Sequence, residues 1–117
     1  MPRRPTSART LLDGLVSEDQ FERWVVAVAK AYGWHGYHTR KSYGAVMGVT
    51  REDAYGWPDW AFWHPRKQRF LLRELKAERG VLTRHQRRVL EELVTCGVDA
   101  RVWRPGDEPL ILETFSA

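Results

Sequence analysis

A strand, a helix and a second strand follow one another in the C-terminal half of the chain, and this unit limits the fold more than any other feature. Residues 70–76 predict the first strand, and Thr83 with Gln86 three residues later forms a capping box that opens a helix ending near residue 96. Residues 100–104 predict the second strand. So short a unit predicts two parallel strands joined by a right-handed crossover, and therefore a sheet covered by helices.

The N-terminal half predicts further elements of the same sheet. Ser17 and Gln20 form another capping box, and the apolar residues after it recur at helical spacing. Residues 34–40 predict a strand, and residues 59–77 predict a hairpin. Residues 41–57 contain three glycines and predict a long loop. The fold class is therefore α/β, in the order α-β-β-β-α-β, with a small mixed sheet flanked by helices.

Charge and aromatic content favour a nucleic-acid-binding protein. The 117 residues include 19 basic and 15 acidic side chains, a net charge of +4, and six tryptophans. Basic charge attracts nucleic acid, and aromatic rings offer stacking surfaces. A basic surface that is merely solvated is the alternative interpretation. Residues 1–16 predict a basic, mobile N-terminal arm, and residues 17–117 predict a single domain.

The composition argues against membrane insertion and secretion. No apolar run approaches the ~18 residues that a membrane span needs, and the N-terminus lacks the apolar core of a secretory signal. Cys96, the single cysteine, cannot form an internal disulfide. We therefore expect a cytoplasmic protein with no membrane partner and no organic cofactor.

Asp59, Glu74 and Lys76 form the candidate catalytic group. Asp59 begins one strand of the predicted hairpin, and Glu74 and Lys76 end the neighbouring strand. Residues two apart in a strand project from the same face, and closure of the hairpin puts Asp59 opposite Glu74 or Leu75. Two carboxylates and one ammonium group are therefore expected close together at the edge of the sheet.

Two carboxylates in one place favour a cation between them, and their hard oxygens suit Mg²⁺. Such a site orients a nucleophilic water and neutralises charge on a reacting phosphate, which predicts metal-assisted phosphodiester hydrolysis. Gln86 lies on the inward face of its predicted helix and can reach the same edge, in addition to its capping role. The alternative interpretation is an ordinary surface ion pair between Glu74 and Lys76.

Three segments, in this order and spacing, resemble the PD-(D/E)xK nuclease superfamily: GWPDW at 56–60, RELK at 73–76 and GVLTRHQRRVLEELVTCGVDARVWRP at 80–105. Within the superfamily, the chain most resembles the small stand-alone, phage-like members of the virus-type replication-repair nuclease (VRR-NUC) family. The resemblance extends over residues 17–105. It implies a restriction-endonuclease-like core. It also implies that the protein is located in the cytoplasm of a bacterium or of a phage-infected host.

The resemblance also implies a role for each residue of the candidate site. Asp59, Glu74 and the backbone carbonyl of Leu75 would bind the divalent metal, which is Mg²⁺ with Mn²⁺ as a substitute. Lys76 would be the catalytic lysine, and Gln86 matches the glutamine of the helix that follows. The family also has a glutamate on the first helix near the metal, for which the candidates are Glu18 and Glu22.

The expected substrate is branched DNA. The resemblance implies a Mg²⁺-dependent, structure-specific endonuclease, a Holliday junction resolvase of DNA recombination and repair, that acts as a homodimer because a four-way junction needs two symmetric cuts. The alternatives are a nuclease for flap or linear duplex DNA and a catalytically silent DNA-binding subunit. Four residues at the junction of strand and loop before Asp59 are expected to contact phosphates, rather than to form a plain solvated turn: His38, Arg40, Lys41 and Ser42.

Overall fold

A four-stranded sheet forms the centre of the protein in a computed structural model that describes residues 16–39 and 51–117. The strands lie in sequence order, β1-β2-β3-β4, with bounds His35–His38, Trp60–His64, Arg69–Leu75 and Ala100–Trp103. The first two pairs are antiparallel, and β3 and β4 are parallel, as the strand–helix–strand unit predicts. The fold is therefore a mixed α/β sheet flanked by helices, consistent with a restriction-endonuclease-like core.

In the described residues, four α-helices and one 3₁₀ turn surround this sheet. Their bounds are Glu18–Ala31 for α1, Arg51–Gly56 for α2, Arg84–Thr95 for α3, Pro105–Asp107 for the 3₁₀ turn and Glu108–Ser116 for α4. Neither described stretch of the chain contains a helix long and apolar enough to cross a bilayer. The predicted arm lies outside the described residues except for Val16, which packs against the core.

Both predicted capping boxes are present. The Ser17 hydroxyl accepts a hydrogen bond from the Gln20 backbone N–H at 3.2 Å, and Gln20 Oε1 accepts one from the Ser17 N–H at 2.8 Å. Thr83 and Gln86 form the same pair of bonds at the start of α3. Each box satisfies donors that a helix N-terminus leaves open, so these two helices begin where the sequence predicts.

The sheet separates two hydrophobic cores because strand residues alternate between its faces. On the first face, Leu71 and Leu75 pack in one buried cluster with apolar side chains of α1 and α4. On the second face, Leu72 packs with Leu90 of α3. Glu74 shares this second face with Leu72, and Arg73 shares the first face with Leu71 and Leu75. This alternation decides which face carries the candidate site.

Two helices depart from the predicted order. The prediction of a loop over residues 41–57 is wrong at its C-terminal end, where α2 forms, and residues 40–50 lie outside the described part of the chain. Helix α2 is only six residues long, and Arg88 of α3 holds it through Asp53 at 2.7 Å. Packing against another helix therefore stabilises a segment whose own sequence carries no helical period.

The C-terminal helix α4 is the second element that sequence reasoning missed. Its start, Pro105 to Pro109, has the Pro and Gly content of a loop. The helix nevertheless buries Ile111 and Phe115 completely, and the Phe115 carbonyl accepts a hydrogen bond from the Trp34 indole N–H at 2.9 Å. Apolar burial against the sheet therefore fixes this helix.

Candidate active site

Asp59 directly precedes β2 and lies beside the C-terminal end of the neighbouring strand β3. The β2–β3 register pairs Trp60 with Arg73, so Asp59, one residue earlier, lies opposite Glu74. Asp59 Oδ2 accepts a hydrogen bond from the Leu75 backbone N–H at 3.2 Å, and its carbonyl accepts one from the Thr39 N–H at 2.7 Å. The Asp59 carboxylate is thus held beside the end of β3, at the position predicted from closure of the hairpin.

The segment before Asp59 is anchored by close packing. Gly56, the last residue of α2, lies so near α3 that a Cβ atom there would come within 2.2 Å of the His85 carbonyl oxygen and 2.6 Å of Val89 Cγ2. Pro58 is fully buried. Only glycine allows the two helices to approach this closely, which explains the first residue of the GWPDW segment.

Glu74 is only 2% exposed, on the sheet face covered by α3. The alternative interpretation of Glu74 and Lys76 as an exposed surface pair requires a solvent-exposed carboxylate, and Glu74 does not meet this requirement. A buried ionised carboxylate is costly unless opposite charge or hydrogen bonds compensate it. Burial therefore separates Glu74 from the acids of ordinary surface ion pairs.

Lys76 follows β3 directly and is partly exposed. Its backbone N–H donates to the Trp103 carbonyl at 3.0 Å, which extends the parallel pairing of β3 and β4 by one residue. Its backbone position is therefore set by the sheet, one residue beyond the strand end that bears Glu74.

Arg104 fixes the loop that follows Lys76, a role that sequence reasoning missed. Its Nη1 donates to three carbonyls of that loop: Ala77 at 2.8 Å, Glu78 at 3.2 Å and Gly80 at 2.6 Å. Because Nη1 carries only two N–H groups, one of them is shared between two of these carbonyls. The only signal in the sequence is the position of Arg104 in the WRP ending of the third resembling segment.

Gln86 is 5% exposed, which confirms that it lies on the inward face of α3. Its Oε1 accepts the Thr83 N–H at 2.9 Å as part of the capping box. The capping role is therefore confirmed. Because that bond uses the side-chain oxygen, the group with which Gln86 could act on a substrate is its amide nitrogen.

The two candidate glutamates of α1 differ in their surroundings. Glu22 Oε1 lies 3.9 Å from His38 Nε2, and the His38 ring packs against Trp60 at 5.0 Å between centroids. His38 pairs with Trp60 in the sheet, one residue before the contact between Thr39 and Asp59. Glu18 is exposed in the first turn of α1. Glu22 is therefore linked to the strand that borders Asp59.

The remaining predicted phosphate contacts, Arg40, Lys41 and Ser42, lie outside the described residues. Within 16–39 and 51–117, no group of three or more His, Cys, Asp or Glu side chains is gathered as a metal-binding cluster. The candidate site in this part of the chain is the pair Asp59 and Glu74 with the backbone of Leu75, and Lys76 follows it in sequence.

Comparison with known proteins gives one match. No curated protein and no solved structure shows significant similarity to the chain. The VRR-NUC domain matches residues 35–105, well over half of the chain. The matched stretch begins with β1 and ends just after β4, so it contains the whole sheet together with Asp59, Glu74 and Lys76. By this match the chain belongs to the VRR-NUC family of nucleases.

Proposed function

We propose that this protein is a Mg²⁺-dependent, structure-specific endonuclease that hydrolyses phosphodiester bonds in branched DNA, with a Holliday junction as its substrate. The observation that carries the proposal is the bond between Asp59 Oδ2 and the Leu75 N–H, which holds the Asp59 carboxylate at the strand end that bears Glu74. Two carboxylates at adjoining strand ends, followed by a lysine, are a donor set for phosphodiester hydrolysis.

The chemistry of these donors fits a hard divalent cation. Asp59, Glu74 and the Leu75 carbonyl would hold Mg²⁺, or Mn²⁺ in its place, since all three present oxygen ligands. When bound, the cation supplies charge neutralisation at the phosphate and lowers the pKa of a bound water. Of the two candidate glutamates of α1, Glu22 is the better supported as a further ligand because of its contact with His38 of β1.

The side chains around the carboxylates complete the proposed chemistry. Lys76 stabilises negative charge on the phosphate oxygens and orients the attacking water. Gln86 donates from its amide nitrogen toward the same edge. His38, with Arg40, Lys41 and Ser42 beyond the described residues, contacts backbone phosphates and positions the DNA.

The proposed substrate, branched DNA, is the reason for proposing a homodimer. A chain with one catalytic site makes one cut, and resolution of a four-way junction needs two related cuts. A two-fold symmetric pair of chains supplies both sites.

The test is cleavage of junction, flap and linear duplex DNA of matched sequence by the full chain, with and without Mg²⁺, at one salt concentration. Glu74→Gln, which keeps the shape of the side chain and removes its charge, is the control variant. We expect Mg²⁺-dependent cleavage that is fastest on the junction and absent from the variant. Faster cleavage of flaps or duplex would overturn the choice of substrate, and binding without cleavage would favour the silent subunit.

A further inference from the structure

A basic cavity lies on the sheet face opposite Glu74. Strand alternation points Arg73 away from the carboxylate site, toward α4. The cavity has a volume of about 100 Å³ between β3, β4 and α4. Its charged lining is Arg69, Arg73, Asp99 and Arg101, and Trp103 and Leu110 form part of its wall. None of these residues belongs to the proposed catalytic group.

The charged lining is unbalanced. Asp99 Oδ1 lies 2.9 Å from Arg73 Nη2 and 3.8 Å from Arg101 Nε, and Asp99 Oδ2 lies 3.9 Å from Arg69 Nη2. Three guanidinium groups therefore share one carboxylate, and three positive charges less one negative charge leave two positive charges around the cavity. An anion bound there would reduce the repulsion among the arginines.

Arg73 is the buried member of the group, with a side chain that is 3% exposed. Its Nη1 donates to the carbonyls of Leu72 at 3.0 Å and Asp99 at 2.7 Å, and its guanidinium stacks on the Trp103 ring at 4.5 Å. Its Nε is buried and has no hydrogen-bond partner among the described residues. A buried donor without a partner costs free energy.

The electrostatics of Arg73 agree with this geometry. Burial lowers its pKa, Asp99 raises it, and the charges of Arg101 and Arg69 lower it again. The net effect is a pKa below the ordinary value for arginine, chiefly because the guanidinium is buried.

We propose that this cavity binds an oxyanion of the phosphate class. Guanidinium forks match the tetrahedral oxygens of phosphate in charge and geometry. Arg101, whose side chain is 63% exposed, approaches the anion from the solvent side. The phosphate comes either from a DNA backbone or from a free small anion, since both present the same oxygens.

The experiment is a titration of the metal-free protein with inorganic phosphate at constant ionic strength, followed through the Arg73 Nε–Hε resonance by NMR. We expect a saturable shift. Arg101→Gln should weaken phosphate binding by about tenfold, because it removes a charge-assisted contact. Arg66→Gln removes the same charge from an exposed residue in the β2–β3 turn, outside the cavity, and should leave the affinity unchanged.

Two results would overturn the proposal: an Arg73 resonance that phosphate does not move, and equal weakening by Arg101→Gln and Arg66→Gln, which would indicate general charge attraction. The titration measures phosphate binding by the metal-free protein and involves no cleavage, so its outcome is separate from that of the nuclease proposal.

A second titration with a short metal-free DNA duplex identifies the source of the phosphate. If duplex moves the same resonance and Arg101→Gln weakens its binding more than Arg66→Gln does, the phosphate belongs to DNA. If only inorganic phosphate moves it, the ligand is a free anion.

Discussion

At the scale of single residues, a substitution of Lys76 tests whether its role is catalytic or structural. Arg79, Arg84 and other basic side chains nearby can all attract DNA, but only a compact ammonium fits beside a water and a phosphate oxygen. Lys76→Arg keeps the charge and adds a bulky planar group. We expect single-turnover cleavage of junction DNA to slow by about 10²–10³-fold, while DNA binding at fixed salt changes much less.

Lys30→Arg is the matched control, because it makes the same exchange at the exposed C-terminal end of α1. It should cleave at the wild-type rate. A Lys76→Arg protein that cleaves within about threefold of wild type would show that Lys76 makes no specific contact in the transition state.

Asp59→Asn separates the structural role of this residue from its charge. The amide oxygen of Asn can still accept the Leu75 N–H, so the urea midpoint of unfolding should stay close to that of wild type. The loss of one carboxylate removes a proposed metal ligand, so cleavage should fall below detection in Mg²⁺ and in Mn²⁺. Cleavage at the wild-type rate by the folded variant would contradict the assignment of Asp59.

At the scale of elements, the close packing of α2 against α3 positions the segment that leads to Asp59. A Cβ at residue 56 would collide with the His85 carbonyl, which belongs to a helix backbone and cannot move aside. Gly56→Ala should therefore separate the two helices, lower the free energy of unfolding by about 1–3 kcal/mol and reduce cleavage at temperatures where the protein is folded. Urea unfolding and single-turnover cleavage measure the two effects.

Gly97→Ala is the comparison for this prediction. Gly97 follows α3 with a φ of +85°, and a Cβ there meets nothing within 4 Å. Alanine should cost about 1–2 kcal/mol through backbone conformation alone and leave cleavage by the folded protein unchanged. Equal losses of cleavage in both variants would mean that stability, rather than the position of Asp59, controls the rate.

At the scale of the whole molecule, the proposed two-fold pair predicts how active and inactive chains behave together. A plasmid that extrudes a cruciform becomes linear only when both sides of the junction are cut. Mixing wild type with the Glu74→Gln protein should form pairs with one active site, so nicked circles should accumulate at the expense of linear DNA. A ratio of nicked to linear product that does not respond to the inactive chain would indicate independent monomers.

Much of this fold follows from interactions between residues that are close in sequence. The capping boxes at Ser17 and Thr83 join residues three positions apart, and the alternation in β3 is a property of any strand. The parallel pairing of β3 and β4 follows from the helix between them, because a strand–helix–strand crossover joins parallel strands. The proximity of Asp59 to the end of β3 can also be predicted from the sequence, because a tight hairpin fixes the register of its two strands.

Two helices and the basic cavity depend on contacts between segments that are distant in sequence, so only the tertiary structure reveals them. Helix α2 packs closely against α3 at Gly56, and α4 buries Phe115 against the sheet, so neither helix is encoded in its local pattern. The cavity gathers Arg73 and Arg101 from parallel strands that are separated by a whole helix. Elements whose stabilising contacts lie within one turn or one hairpin can be predicted from the local sequence. Packing determined the rest, because burial and charge depend on which segments meet in space.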